Sequence, residues 1–199
     1  MIQKVEKDTE LAQQLLAYVE NCSWIEARDH IAENIRSWVF SDWETMFAAV
    51  EDGAIVGMAS VMKTDYYPLP EVFPWVSSLF VSENHRGRGL SGQLIDGANR
   101  YLRDLGFRRS YIPAAFFGLY ERFGYTYLRD IVNYGGGTDH LFGKGWCHDP
   151  VFFRHGQLQI GGRAPVPGPG PARPFHGGLP RPGSGGLFRR QHRHRLPHL

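Results

Sequence analysis

Apolar residues recur at intervals of three or four positions in three segments of the chain, the spacing that places them on one face of an α-helix. The three stripes are Leu11, Leu15, Leu16 and Val19, then Ala27, Ile31, Ile35 and Trp38, and finally Leu90, Leu94, Ile95, Ala98, Leu102 and Leu105. Asp8 or Thr9 stands at the N-cap position of the first stripe, and Gly106 at the C-cap position of the third. The pattern predicts three helices, and a further short helix over 117–123 that Gly124 ends.

Apolar runs of β character separate these stripes. They predict strands over residues 2–5, 45–50, 54–62, 75–81, 109–112 and 125–134, and a last strand ending near residue 142, since 143–147 is a poor strand sequence. Asp52-Gly53, between two of the runs, is a strong hairpin signal. Strands and helices alternate in the second half, which is typical of an α/β layer with at least one parallel strand pair.

Residues 65–74, here called the aromatic loop, contain three prolines, two tyrosines and a phenylalanine. Proline does not fit a central strand, so this segment is predicted to be a rigid loop. Its tyrosines and Phe73, with Trp75, either wall a pocket that can cover a cation or serve ordinary packing.

Charge is distributed unevenly along the chain. All 20 acidic residues lie at or before Asp149, which gives the first 149 residues a formal charge of −6, whereas the remainder carries eight arginines and no acid. Residues 150–199 contain 9 Pro and 10 Gly. Such a segment cannot bury enough apolar surface to offset the entropy lost when it becomes ordered. We therefore predict a domain over 1–145 and a disordered tail over 146–199, which a frameshift or read-through would also produce. A nucleic-acid-binding arm is the rival, less favoured interpretation of the tail.

Two cysteines, Cys22 and Cys147, stand far apart, and the histidines show no metal-ligand spacing, so neither a disulfide framework nor a metal site is expected. The first residues lack the apolar core of a signal peptide, and no apolar run is long enough to span a bilayer. The expectation is a cytoplasmic protein without membrane contact. The oligomeric state stays open, a homodimer included.

A predicted buried strand over 75–81 runs into a segment with three glycines and two arginines, which opens the third helix. Glycines let the backbone approach a ligand closely, and the free N–H groups at a helix start bind phosphate oxygens. Arginines add charge-assisted donors. Residues 86–92, here called the glycine loop, therefore predict a pyrophosphate site, with a solvated turn as the alternative. The formal GxGxxG match is weak, because five residues separate Val81 from Gly87 and the next strand brings no ribose-binding acid.

Arg86-Gly87-Arg88-Gly89-Leu90-Ser91 resembles the signature of the GCN5-related N-acetyltransferase (GNAT) family, with Ser91 in place of the usual final Gly or Ala. Leu119-Tyr120-Glu121-Arg122-Phe123-Gly124-Tyr125 is similar to a second segment of that family. The resemblance covers residues 1–145 in element order, and its specificity lies in 75–125. It implies a GNAT-like mixed, mostly antiparallel sheet with a central parallel pair, flanked by helices.

The resemblance also implies acetyl-CoA as co-substrate. Main-chain groups of Leu79, Phe80 and Val81 would pair with the pantetheine arm. The diphosphate would lie on Arg86, Gly87, Arg88, Gly89, Leu90, Ser91 and Gly92. Tyr120 would lie near the sulfur, where a phenol of pKa about 10 can give a proton to a thiolate of pKa about 8.5. The alternative is that Tyr120 is a core aromatic residue.

Acetyl transfer also needs stabilisation of the oxyanion, for which N–H groups at the end of the strand reaching Val81 are candidates, and a base for the amine. Asp65, Glu71 and Glu83 are candidate bases, although each also fits a solvated carboxylate. The leading hypothesis is an N-acetyltransferase that acts on a primary amine of a small molecule or peptide. The second is a non-catalytic module that binds or senses acetyl-CoA.

Overall fold

The computed structural model describes residues 1–146 and the backbone of two short strands beyond them. The strands are β1 Ile2–Lys4, β2 Thr45–Glu51, β3 Ala54–Met62, β4 Trp75–Val81, β5 Arg109–Ala114, β6 Thr126–Val132, β7 Thr138–Gly145, β8 Phe153–Arg154 and β9 Gln157–Leu158. The helices are α1 Glu10–Glu20, α2 Ile25–Arg36 and α3 Leu90–Asp104, with 3-10 turns at Glu83–His85 and Tyr120–Phe123. The prediction for the tail concerns residues that lie almost wholly outside those described.

Strands β1 to β7 form one sheet in the order β1-β2-β3-β4-β5-β7-β6, while β8 and β9 pair only with each other. Within the seven-stranded sheet, every neighbouring pair is antiparallel except β4 and β5, which are parallel. Asp52 and Gly53 both have positive φ, as a type I′ hairpin turn requires. The predicted fold class, a mixed and mostly antiparallel sheet with a central parallel pair, is confirmed.

Three apolar clusters hold the layers together. Helix α3 covers one face of the sheet, where Leu94 and Ile95 are fully buried. Helices α1 and α2 cover the other face through a cluster that includes Leu15 and Ile31. A third cluster around Trp75 lies on that same face, beneath the aromatic loop. No helix within residues 1–146 is both long and apolar enough to cross a bilayer.

The predicted helix ends are confirmed at the start of α1 and at the end of α3, but the predicted end of α2 is wrong. Thr9 caps α1 by accepting a hydrogen bond from the amide of Ala12, and Gly106 follows α3 with a φ of 89°. The prediction that Trp38 continues the α2 stripe is wrong, because α2 ends at Arg36 and Trp38 has a φ of 47°. Its ring packs edge-on against Phe40 instead.

Three predicted boundaries are also wrong. Strand β5 continues through Pro113 to Ala114, because β4 is not paired with β5 at that point and proline is tolerated at an edge. The predicted helix over 117–123 is reduced to the turn Tyr120–Phe123, since Gly118 adopts a φ of 96°. Strand β7 continues to Gly145 because Gly143 leaves room for Leu128, whose Cδ1 lies 2.8 Å from the position of an added Cβ.

Candidate functional site

A cleft opens in the sheet between the parallel strands β4 and β5. Their register contains one pair of partners, Trp75 and Tyr111, and no partner follows toward their carboxyl ends. Strand β4 is also irregular here, because Ser78 has a φ of 51° and the register with β3 shifts between Met58 and Ser60. A bulge of this kind bends a strand and breaks its ladder. Main-chain groups of β4 on the β5 side are therefore free of a sheet partner beyond Trp75.

The three β4 residues that were predicted to contact pantetheine line this cleft through their backbone. Leu79 and Val81 pack on the α3 side of the sheet. The ring of Phe80 lies on the other side, stacked on Trp24 with 6.1 Å between centroids. Because these side chains are used in packing, only the main chain of residues 79–81 can serve an extended ligand.

The glycine loop leads from this cleft to the start of α3. Gly87 and Gly89 have φ values of 73° and 76°, and no atom lies within 4 Å of an added Cβ at either position. Gly89 is the N-cap of α3 and provides no side-chain hydrogen bond to the first turn. The amides of Leu90 and Ser91 have no acceptor within the helix, since they belong to its first turn, and they lie at the positive end of a helix of 15 residues, the arrangement of an anion site.

The two arginines of the glycine loop have different environments. Arg86 turns back to the end of β4, where its Nε donates to the carbonyl of Val81 at 3.0 Å and its Nη2 to Glu83 at 3.2 Å. Arg88 is half exposed, and its Nη1 lies 2.8 Å from a carboxylate oxygen of Glu51. Arg86 thus fixes the loop, whereas the ion pair of Arg88 with Glu51 lies on the surface, where a phosphate can replace the carboxylate.

Gly92, the last residue of the predicted set, has a packing role. A Cβ at this position would lie 2.6 Å from Cε1 of Phe123. Phe123 belongs to the 3-10 turn Tyr120–Phe123, here called the Tyr120 turn. The absence of a side chain at Gly92 therefore lets the Tyr120 turn pack directly on the first turn of α3. The two segments that carry the family resemblance are in contact through this glycine.

Tyr120 is buried, with 7% of its surface exposed, and packs beside Phe116, Tyr125 and Phe142. No group within residues 1–146 forms a hydrogen bond with its hydroxyl. Burial raises the pKa of Tyr120 to about 12. The phenol is therefore protonated throughout the neutral range and keeps a free donor. Its buried position fits both the predicted proton donor and the alternative of a core aromatic residue.

The turn that carries Tyr120 is held from two directions. Lys144 of β7 donates to the carbonyl of Phe123 at 2.6 Å and closes the end of the turn. Beyond it, the hydroxyl of Tyr125 is 3.0 Å from Asn99 of α3 and 2.7 Å from Ser110 of β5. These polar contacts tie α3, β5 and β7 together beneath the Tyr120 turn, so the position of Tyr120 is fixed by three elements.

The three carboxylates considered as bases lie in different surroundings. Asp65 accepts hydrogen bonds from Ser77 Oγ of β4 and from the Tyr66 amide, and burial raises its pKa. Glu71 lies 3.6 Å from Arg129 on the surface. Glu83 is exposed, and a hydrogen bond from the Ser23 hydroxyl lowers its pKa. Of the three, only Asp65 is anchored to a strand of the cleft.

The aromatic loop packs over the same face. Tyr67 stacks on Trp75 with 5.6 Å between centroids and donates to Asp139 of β7 at 2.9 Å. Tyr66 is exposed, and its carbonyl accepts from the amide of Tyr134 in the β6–β7 turn. The packing role is thus present for Tyr67, while Tyr66 is open to solvent and a pocket that covers a cation stays a prediction.

Sequence reasoning missed four residues of this region: Glu51, Ser77, Phe123 as the partner of Gly92, and Asp139. Each contacts its partner across strands or loops, so no spacing signal could reveal it. Within residues 1–146, no group of three or more His, Cys, Asp or Glu side chains is arranged to hold a metal ion.

Comparison with known proteins agrees with this geometry. Residues 10–125 match the profile described as acetyltransferase (GNAT) family. No curated protein sequence gives a significant match. Among solved structures, aminoglycoside 6'-acetyltransferase type Ii is similar with a TM-score of 0.58 and 18% identity, covering 73% of this chain and 96% of that one.

Two further solved structures are similar at the same level. An aminoglycoside 6'-N-acetyltransferase complexed with coenzyme A has a TM-score of 0.56 and 15% identity, covering 73% of this chain and 96% of that one. An acetyltransferase from Streptococcus agalactiae has a TM-score of 0.55 and 16% identity, covering 73% and 98%. At these identities the structural likeness shows the fold alone, whereas the family profile spans more than half of the sequence. The chain belongs to the GNAT acetyltransferase family.

Proposed function

We propose that this protein is an N-acetyltransferase that moves the acetyl group of acetyl-CoA directly to a primary amine of a small molecule or peptide. The observation that carries the proposal is the continuity of the open β4–β5 cleft with the glycine loop. A cleft in which β4 lacks a sheet partner leads directly to a helix start whose first amides have no acceptor within the helix. An acyl thioester of coenzyme A needs both features, one for its amide-bearing arm and one for its diphosphate.

Binding of the cofactor uses main-chain groups for most contacts. The pantetheine amides pair with residues 79–81, and the diphosphate lies against the amides of residues 87–92. Arg88 exchanges its ion pair with Glu51 for a contact with the phosphate. A bidentate, charge-assisted hydrogen bond to the phosphate is the stronger of the two interactions. Arg86 stays on the Val81 carbonyl and keeps the end of β4 in place.

The transfer is a direct attack of the amine on the thioester carbonyl carbon. Tyr120 supports departure of the sulfur by donating a hydrogen bond rather than a complete proton. Its pKa of about 12 exceeds that of a thiol, about 8.5, so full proton transfer would cost about 5 kcal/mol. A hydrogen bond to the developing thiolate avoids that cost and still stabilises the charge.

A non-catalytic acetyl-CoA-binding module is the second candidate function. It is favoured by the buried position of Tyr120, whose ring is surrounded by core aromatic residues. Incubation of the full-length protein with acetyl-CoA and a panel of primary amines, with free thiol followed over time, separates the two functions. Thiol release that depends on the amine, with the acetylated amine as product, supports the enzyme. Saturable binding of acetyl-CoA, with no release of thiol in the presence of any of the amines, supports the module.

A further inference from the structure

The sheet face under α1 and α2 contains a polar gap between its two apolar clusters. Along β3, Ser60 lies between Met58 of one cluster and Met62, which packs against both. Ser60 is the register partner of Ser77 on β4, so both side chains project from this same face. The aromatic loop places Asp65 over the gap, where its carboxylate accepts the hydrogen bond from Ser77.

The position of Ser77 places this carboxylate at the apex of the cleft. Trp75 forms the last pair between β4 and β5, and Ser77 follows it by two residues. Asp65 therefore lies where the two strands part, beside the main chain that the proposed thioester arm would follow. Glu71 and Glu83 are not held at this point, because their partners are Arg129 on β6 and Ser23 before α2.

A second observation marks the gap as a ligand site. Ser60 is 1% exposed, and its buried hydroxyl has no hydrogen-bond partner within the described chain. An unsatisfied buried hydroxyl costs about 1–3 kcal/mol. Because Ser60 and Ser77 are register partners, this unused hydroxyl lies next to the side chain that holds Asp65.

The charged groups around Asp65 come from three elements. His30 faces it from α2 and lowers its pKa, while Asp139 from β7 raises it. Tyr67, from the aromatic loop itself, is occupied with Asp139. Burial is the largest influence on Asp65 and raises its pKa. A carboxylate in such a position is a better proton acceptor than one in water.

We propose that Asp65 is the catalytic residue that receives the acceptor amine and takes up its proton. This assignment rests on the N-acetyl transfer proposed above and selects a cationic primary amine as the acceptor, because a partly buried carboxylate binds an ammonium group. Ser77 is the positioning residue that holds the carboxylate, and Ser60 supplies a further hydrogen bond to the acceptor.

The proposed transfer forms one bond and breaks one. The ammonium group loses one proton to water on entry, and its neutral nitrogen attacks the carbonyl carbon of the thioester. The N–C bond forms, the C–S bond breaks, and the sulfur keeps the bonding electron pair. The second nitrogen proton passes to Asp65, which later returns it to solvent, and the thiolate takes a proton from solvent to leave as free thiol.

The test compares Asp65→Asn with Glu71→Gln, a matched control on the same loop, in the full-length protein. Asparagine can still accept the Ser77 hydrogen bond but cannot take a proton. We expect Asp65→Asn to lower kcat at pH 7.4 by about 10²-fold, with the Kd for acetyl-CoA unchanged in calorimetry. The control retains wild-type kcat. In the wild type, a plot of log(kcat/KM) against pH rises with a slope of two below the pKa of Asp65. In Asp65→Asn the slope of this plot is one throughout.

Ser77→Ala provides an independent readout. The Ser77 hydrogen bond lowers the pKa of Asp65, so its loss raises that pKa and moves the change of slope to higher pH. If Asp65→Asn does not fold, Ser77→Ala decides the assignment. A slope that changes at the same pH in Ser77→Ala as in the wild type overturns it. Full activity in a folded Asp65→Asn overturns it as well. A wild type that binds acetyl-CoA but acetylates no amine contradicts the proposed enzyme instead, so the two failures are distinct.

Discussion

At the scale of single residues, absence of a side chain is as informative as its presence. The glycine loop requires glycine for two different physical reasons. Gly87 and Gly89 are needed for their positive φ and face open space. Gly92 has helical geometry and is needed because Phe123 fills the volume of a Cβ. The sequence motif treats these glycines alike, whereas the structure separates ligand approach from internal packing.

Gly92→Ala is therefore expected to destabilise the protein. Alanine favours helix by about 1 kcal/mol, but here its Cβ displaces the Phe123 ring, at a cost of about 1–3 kcal/mol for overpacking. Thermal denaturation should show a lower Tm. Gly97→Ala, in the same helix, is the control, because an added Cβ there meets the side chain of Ile2 alone, with Cγ2 at 3.0 Å and Cβ at 3.8 Å. A Tm for Gly92→Ala at or above that of Gly97→Ala contradicts the packing role.

Tyr120→Phe separates catalysis from packing at one atom. The hydroxyl has no partner within residues 1–146, so its removal should change the free energy of unfolding by less than about 0.5 kcal/mol. Loss of a hydrogen bond to the developing thiolate should lower kcat by at least about tenfold. Denaturant unfolding and steady-state thiol release measure the two effects. Unchanged kcat in a folded variant would assign Tyr120 to the core alone.

At the scale of elements, the features that sequence patterns predicted are those with local causes. The Asp52-Gly53 turn and the end of α3 at Gly106 follow from the φ that each position requires. What sequence reasoning missed depends on neighbours distant in the chain. Strand β5 continues past Pro113 because β4 has already parted from it, and Asp65 acquires its environment from Ser77. The start of α3 directly after the glycine loop could be predicted from the motif, but the positions of the two arginines could not.

The contact between the β2–β3 hairpin and the glycine loop leads to a prediction at this scale. Glu51 holds Arg88 away from a ligand, so Glu51→Gln should free the guanidinium group. Because an exposed pair is worth about 0–1 kcal/mol, we expect up to about a fivefold lower Kd for coenzyme A in calorimetry. Glu44→Gln, just before β2, is the control. Arg88→Gln should raise the Kd, and a raised Kd in Glu51→Gln as well would make Glu51 a ligand contact rather than a competitor.

At the scale of the molecule, the proposed cofactor would contact several elements of the fold at once. It would connect β4, the glycine loop and α3 along one path, and would place the thioester between Tyr120 and Asp65. These two residues approach the cleft from opposite faces of the sheet, one from the α3 side and one from the aromatic loop. In the proposed reaction the two faces would serve different steps, with the leaving sulfur on one side of the sheet and the entering amine on the other.

A ligand that joins these elements should stabilise the whole fold in a way that depends on its parts. At a concentration of 100 times its Kd, acetyl-CoA should add about 2.7 kcal/mol to the free energy of unfolding, which corresponds to about 5–10 °C in Tm for a chain of this size. ADP contains the adenosine and the diphosphate without the amide arm, and pantetheine contains the amide arm without the diphosphate. Each should therefore give a smaller shift at the same concentration, because each occupies only the glycine loop or only the cleft. Thermal denaturation of the full-length protein with the three ligands measures this. An equal shift with ADP and acetyl-CoA would remove the β4–β5 cleft from the site, because the arm would then contribute nothing.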